Sequence, residues 1–248
     1  MPHAGTNDTV TSYKGADLYF RGFRNLNAVF DDLIATRGIA QADTVIVGGD
    51  SAGGLATWIH TDHIAQRLPH VGIVRGLPDS GFFLDYGTWR NGIAWVYAQM
   101  NSTAGLNQAC VADHQQPGKD VCDCIFAQHT APYCATPMLA MQGRFDSYQT
   151  GSILRSSDPS KVNPYGQELT SLLVASLALA PNGKHAAFID SCHHHCGYWQ
   201  GCLGQPIDGV YGEQALVQWL SNSTEQRLWL QNSTFPCASC CADGSCAD

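Results

Sequence analysis

The chain has 248 residues, 44% hydrophobic and 14% charged, enough to bury a substantial core and too apolar for a disordered polymer. Its net charge of −8 argues against nucleic acid or an anionic membrane surface as main partner. A densely anionic polymer is also disfavoured without a local basic patch, for which Arg21, Arg24, Arg75, Arg90 and Arg144 are the candidates.

In chain order, residues Leu18 to Arg37 read as an amphipathic helix, because Leu26, Val29, Phe30, Leu33 and Ile34 recur at helical spacing and Gly38 ends the run. Thr44 to Val47 reads as a short buried strand and Ala52 to Leu68 as a helix stopped by Pro69. Val71 to Leu77 is a second strand and Thr88 to Met100 a helix. Residues 101–137 are polar and weakly periodic, with four cysteines, and are expected to form a disulfide-pinned insertion. Met138 to Met141 is a third strand, Tyr165 to Leu179 a helix, Ala186 to Ile189 a fourth strand, and Gly212 to Leu230 one or two closing helices. Strands alternating with helices predict an α/β fold, a mostly parallel sheet with helices on both faces. No repeat or linker divides the chain, so residues 1–248 are expected to form one domain. The longest apolar run, Leu172 to Ala180, is too short to cross a bilayer.

Gly49-x-Ser51-x-Gly53 lies between the first of these strands and the helix after it, the arrangement of a nucleophile elbow. The alternative is a glycine-rich turn binding phosphate at a helix N-terminus. Serine needs a base to take its proton and an acid to orient that base. Asp146 closely follows the third strand, and His193, His194 and His195 follow the fourth. The order serine, aspartate, histidine is that of an α/β-hydrolase. Periodicity does not choose among the three histidines, and at least one must have another role. His60 and His63 are expected to be surface or packing residues, and Asp50 structural.

Eleven cysteines and the sequons at Asn7, Asn101, Asn222 and Asn232 point to an oxidising, extracellular compartment with disulfides and glycans. Zinc is the rival, at Cys237, Cys240 and Cys246 or around Cys192 to Cys196. The first residues hold no apolar segment for a signal peptide, and the odd cysteine count suggests a missing upstream partner.

Five stretches, in order, resemble the pectin acetylesterase and Notum family of secreted α/β-hydrolase-like carboxylesterases. They are Tyr19-Phe20-Arg21-Gly22, the run from Gly49 to Ala56, the run from Asp79 to Asp85, Phe145-Asp146-Ser147-Tyr148-Gln149, and Ser191-Cys192-His193-His194-His195-Cys196. Phe235-Pro236-Cys237 with the cysteines after it is similar to the C-terminus of plant members. The resemblance implies Ser51 as nucleophile, Asp146 as acid and His195 as base, with no cofactor and no metal. It implies hydrolysis of O-acyl esters, and Asp146 to Gln149 is closer to the plant form, which deacetylates pectin. The partner implied is thus an acylated extracellular or cell-wall polysaccharide, with a secreted monomer acting on it. The alternatives are removal of a lipid acyl group from a protein, as by Notum, and a non-catalytic glycan-binding protein. The family's Gly-Gly-Gly-Trp-Cys oxyanion segment is absent, so the chain reads as N-terminally truncated, its first strands missing. The amide of Ala52 is left as the oxyanion donor, and loss of one donor typically costs about 10²–10³ in rate. Phe82 and Phe83 are candidates for the acyl pocket.

Overall fold

The computed structural model describes residues 2–181, 183–198, 206–222 and 225–241. It opens on a small antiparallel hairpin, β1 (Thr11–Tyr13) and β2 (Ala16–Leu18), turned by Lys14 and Gly15 at positive φ. The helix expected from Leu18 therefore starts later, as α1 (Gly22–Thr36), because residues up to Leu18 are paired in the hairpin. There follow β3 (Thr44–Asp50), α2 (Ala52–Arg67), β4 (Ile73–Asp79) and α3 (Trp89–Met100). The cysteine-bearing stretch folds into short pieces, including α4 (Gln108–His114) and α5 (Ala127–Thr130). The chain then forms β5 (Leu139–Gly143), α6 (Pro159–Leu179), β6 (Ala186–Asp190), α7 (Gly212–Leu220) and β7 (Leu228–Leu230).

Strands β3 to β7 lie in sequence order in one sheet, every neighbouring pair parallel. Alternate residues of β5 and β6 face opposite ways. Ala140, Ala187 and Ile189 join Leu55, Trp58, Ile59, Leu169 and Leu173 from α2 and α6, whereas Leu139, Met141, Ala186 and Phe188 meet Ala215 and Trp219 of α7. Helices thus cover both faces, as the alternation predicts. Helix α1 packs separately through Phe30 on Ile64 and Leu68.

Other expectations also differ: β3, expected as a short buried strand ending at Val47, runs to Asp50 with its residues alternately exposed and half-buried. Helix α6 starts at Pro159 rather than Tyr165. The Asp158 side chain accepts the Ser160 N–H at 2.9 Å, and proline at the first position sacrifices no helical bond. The closing segment is helical only to Leu220. Leu228-Trp229-Leu230 instead pairs with Ala187 to Ile189, and fully buries Trp229. Three residues are too few for period-two alternation to stand out.

Among the described residues the disulfides are Cys110–Cys124, Cys192–Cys241 and Cys237–Cys240. Zinc at Cys237 and Cys240, or through Cys192, is thereby overturned, since an oxidised sulfur is not a thiolate ligand; Cys202 and Cys246 lie outside the described residues. Cys110–Cys124 closes a loop of 14 residues, for which chain entropy gives about 3 kcal/mol. The double variant C110S/C124S is expected to lose about that much in urea-melt stability, and an unchanged midpoint would contradict a structural role.

Candidate active site

Because the sheet is parallel, the carboxyl ends of β3, β5 and β6 share one edge. Ser51 follows Asp50 directly, Asp146 follows β5, and His195 follows β6. Ser51 turns the strand into α2 with φ 52° and ψ −117°, a strained conformation for a residue with a Cβ. Its N–H donates to the Asp79 carbonyl at 2.9 Å, which fixes the turn against β4. The turn is tight: a Cβ on Gly49 would stand 2.7 Å from the Gly53 carbonyl carbon.

The three side chains meet. His195 Nε2 lies 2.8 Å from Ser51 Oγ, and His195 Nδ1 lies 2.8 Å from Asp146 Oδ2. With the ring proton on Nδ1 donated to the carboxylate, Nε2 accepts the serine hydroxyl. Asp146 is 1% exposed, so its charge needs several donors. Oδ2 also accepts Gln142 Nε2 at 3.2 Å, and Oδ1 accepts the Gln149 N–H at 2.9 Å. Gln149 is itself clamped, its Oε1 accepting from Leu84 N–H and Tyr165 O–H and its Nε2 donating to the Phe82 carbonyl. Neither glutamine was assigned a role from sequence. A buried glutamine in a strand or first turn carries no pattern; only partial burial of a neighbouring acid would have pointed to them.

His194 and His193 have other work. His194 donates from Nδ1 to the Cys196 carbonyl at 2.7 Å and from Nε2 to Asp190, 3.1 Å from Oδ2. Burial opposes its charge most strongly, but Asp190 and the Cys196 carbonyl overcome this and push its pKa up to about 9. His194 is thus an imidazolium paired with a buried carboxylate, which Tyr198 O–H and the Cys192 N–H also approach. His193 Nε2 is 3.0 Å from Thr150 Oγ1, and its ring meets Phe235. The loop carrying His195 is tied down on its far side as well, since the Cys196 N–H donates to Ser80 Oγ at 2.8 Å and Ser80 Oγ–H to Asp79 Oδ1 at 2.8 Å. Asp79 is fully buried, and desolvation pushes its pKa up to about 6 against the hydrogen bonds it receives.

Ala52 begins α2, whose first-turn N–H groups have no acceptor within the helix. Phe82 and Phe83 are buried at 1% and 3% exposure. Phe83 lies beside His195, ring centroids 6.1 Å apart, while Phe82 packs on Trp58 in the core. Tyr148, which is exposed, stands 5.2 Å from the His195 ring and 5.9 Å from Phe83. His60 is buried, its ring packed against His3 and Phe23, and His63 bonds Asn27. The five arginines do not gather into one patch: Arg24 pairs with the Asp8 carboxylate and Arg21 donates to the Asp8 carbonyl, Arg90 pairs with Asp85 and Asp123, Arg144 bonds Asn232 and Gln167, and Arg75 lies over Trp219. His114, Asp123 and His129 bring ligating atoms within 4.8 Å of one another, but Arg90 already holds Asp123.

The profile of the family described as pectinacetylesterase matches residues 3–242. Pectin acetylesterase 11 of Arabidopsis thaliana is 30% identical over 85% of this chain and 60% of its own length. Pectin acetylesterase 7 of the same plant is 27% identical over 82% and 58%. The chain therefore spans about three fifths of these curated relatives. Human palmitoleoyl-protein carboxylesterase NOTUM is 36% identical over a shorter stretch, 29% of this chain and 15% of that protein. The crystal structure of the Wnt deacylase Notum from Drosophila superposes with a TM-score of 0.77 at 22% identity, over 97% of this chain and 71% of that one. The fold is accordingly a Notum-like α/β hydrolase.

Proposed function

Because the chain belongs to the pectinacetylesterase family, we propose that it is a serine carboxylesterase that hydrolyses O-acyl esters, chiefly O-acetyl groups on an extracellular polysaccharide such as pectin. One observation carries this reading: the unbroken relay from Ser51 Oγ through His195 to buried Asp146. Ser51 Oγ attacks the ester carbonyl as its proton passes to His195 Nε2. The Ala52 N–H faces the developing oxyanion. Collapse expels the sugar alkoxide, which takes the proton from His195. Water, deprotonated by the same imidazole, then attacks the acyl-serine; acetate leaves and Ser51 regains its proton. Asp146 keeps the imidazole in the tautomer these steps need.

The residues act as one unit, residues 1–248 being read as a single secreted, monomeric domain on which 101–137 forms an insertion. The disulfides favour an oxidising compartment. Ring packing around His195 by Phe83 and Tyr148 favours a short acyl group. The test is hydrolysis of 4-nitrophenyl acetate and octanoate together with acetate release from acetylated pectin. The reading expects acetate esters and pectin to be cleaved. Preference for octanoate would favour the lipid deacylase instead, and no turnover at all would favour a glycan-binding protein.

The pH profile carries a further expectation. Burial is the largest influence on His195 and disfavours its charge, but the hydrogen bond to Asp146, the neighbouring Cys196 and the Asp146 charge outweigh it. Its pKa therefore stands above the usual 6.5. Protonated His195 cannot serve as base, so kcat/KM should rise with pH through an inflection above 6.5. Asp146→Asn should bring that inflection down and lower the rate by about 10⁴. An inflection unmoved by Asp146→Asn would contradict the relay.

A further inference from the structure

Three residues beyond Asp146 begins a π-helical turn, Gln149–Leu154, that ends in Arg155 with φ 57°. The turn is anchored at both ends. Gln149 N–H holds Asp146 at its start, and Ser156 N–H donates to the Thr150 carbonyl at 3.0 Å at its close. π-Helical turns of this kind concentrate at functional sites. Beside the turn runs an open groove of about 280 Å³, lined by Ser147, Thr150, Arg155, Ser156, Ser157 and His193. Its walls come from the two loops that carry Asp146 and His195. Tyr148, between Ser147 and Thr150 in the chain, packs on the His195 ring, so the groove adjoins the reacting centre.

Four of the lining residues, Ser147, Thr150, Ser156 and Ser157, carry hydroxyls, and Arg155 brings a guanidinium to them. Arg155 is exposed and forms no ion pair among the described residues; its Nε reaches only the Ser152 carbonyl, at 3.4 Å. The nearest acid in sequence, Asp158, is turned to the Ser160 N–H and to Lys161. Among the arginines, Arg24 and Arg90 are each held by carboxylates instead. A guanidinium free of acid, set in hydroxyls, matches a sugar unit bearing a carboxylate: the planar fork takes the two carboxylate oxygens and the hydroxyls take the ring's own.

We propose that this groove is a subsite for an acidic sugar next to the acylated one, with Arg155 binding its carboxylate. Resting on the esterase reading, it places the recognition of polymer charge in a chain of net charge −8 at one local cation. Arg155 is a specificity residue and takes no part in bond making.

Calorimetric titration of the intact chain with a de-esterified galacturonate hexamer tests this, with a neutral galactose hexamer as control. The wild type should bind the acidic hexamer more tightly than the neutral one. Arg155→Gln should weaken only the acidic hexamer, by about tenfold, and Arg155→Lys should recover part of it. Hydrolysis of 4-nitrophenyl acetate should be the same in all three. Equal affinity of wild type and Arg155→Gln for the acidic hexamer, or no preference of the wild type for it, would overturn the subsite. Because binding is read without turnover, that result is separate from failure of the chain to hydrolyse any ester.

Discussion

Ser51→Ala is expected to lower ester hydrolysis by about 10⁴–10⁶-fold with no change in the urea midpoint. In the proposed mechanism the hydroxyl is the atom that bonds to the acyl group. Alanine keeps the Cβ and so the strained φ of 52°, and its N–H still reaches the Asp79 carbonyl, so the elbow itself is not disturbed. His195→Ala should cost about as much. The double variant should cost little more, because the two side chains act as one device and their losses do not add. Additive losses in the double variant would mean that the two residues act independently, against a shared relay. Initial rates on 4-nitrophenyl acetate, with circular dichroism of each variant, give the answer.

A large effect on stability is expected beneath the serine. The first turn of α2 passes so close to the end of β4 that a Cβ on Gly81 would lie 2.6 Å from the Gly54 Cα and 2.5 Å from the Leu55 N. Those are backbone atoms, so no side chain can swing aside to make room. Gly81→Ala should therefore destabilise the fold by about 3 kcal/mol through overpacking, and should also displace the elbow and reduce turnover. Gly53→Ala is the control: a Cβ there meets nothing within 4 Å, and the change should stay within about 0.5 kcal/mol. Equal urea midpoints for the two variants would contradict the close approach.

Much of this arrangement is legible in the chain. The β-branched run Val45 to Val47, the glycines around Ser51 and the helix beyond form a local signature that tertiary context only completes. The places of Asp146 and the histidines after buried strands follow from alternation of strand and helix in a parallel sheet. The base is different. His193, His194 and His195 are equivalent in any local pattern, and their roles separate only when Thr150 and Ser51 arrive from distant parts of the chain and Asp190, four residues before His194, meets its ring. The family resemblance pointed to His195, and the geometry around each ring gives the physical reason why the other two are occupied. Gln142 and Gln149 were invisible because a neutral buried side chain announces itself only through its partners. The same holds for Arg155, which sequence leaves outside the five candidate basic residues; that no acid among the described residues pairs with it is a property of the fold, not of its neighbours in the chain. Strand β7 was read as helix because three residues offer no period.

The most direct measurement of the central claim is covalent labelling with a fluorophosphonate ester, followed by peptide mass spectrometry. The relay through His195 and Asp146 should give a single adduct on the peptide containing Ser51, lost in Ser51→Ala and strongly slowed in His195→Ala. An adduct on another residue, or equal labelling of wild type and Ser51→Ala, would contradict the assignment of Ser51 as an activated nucleophile.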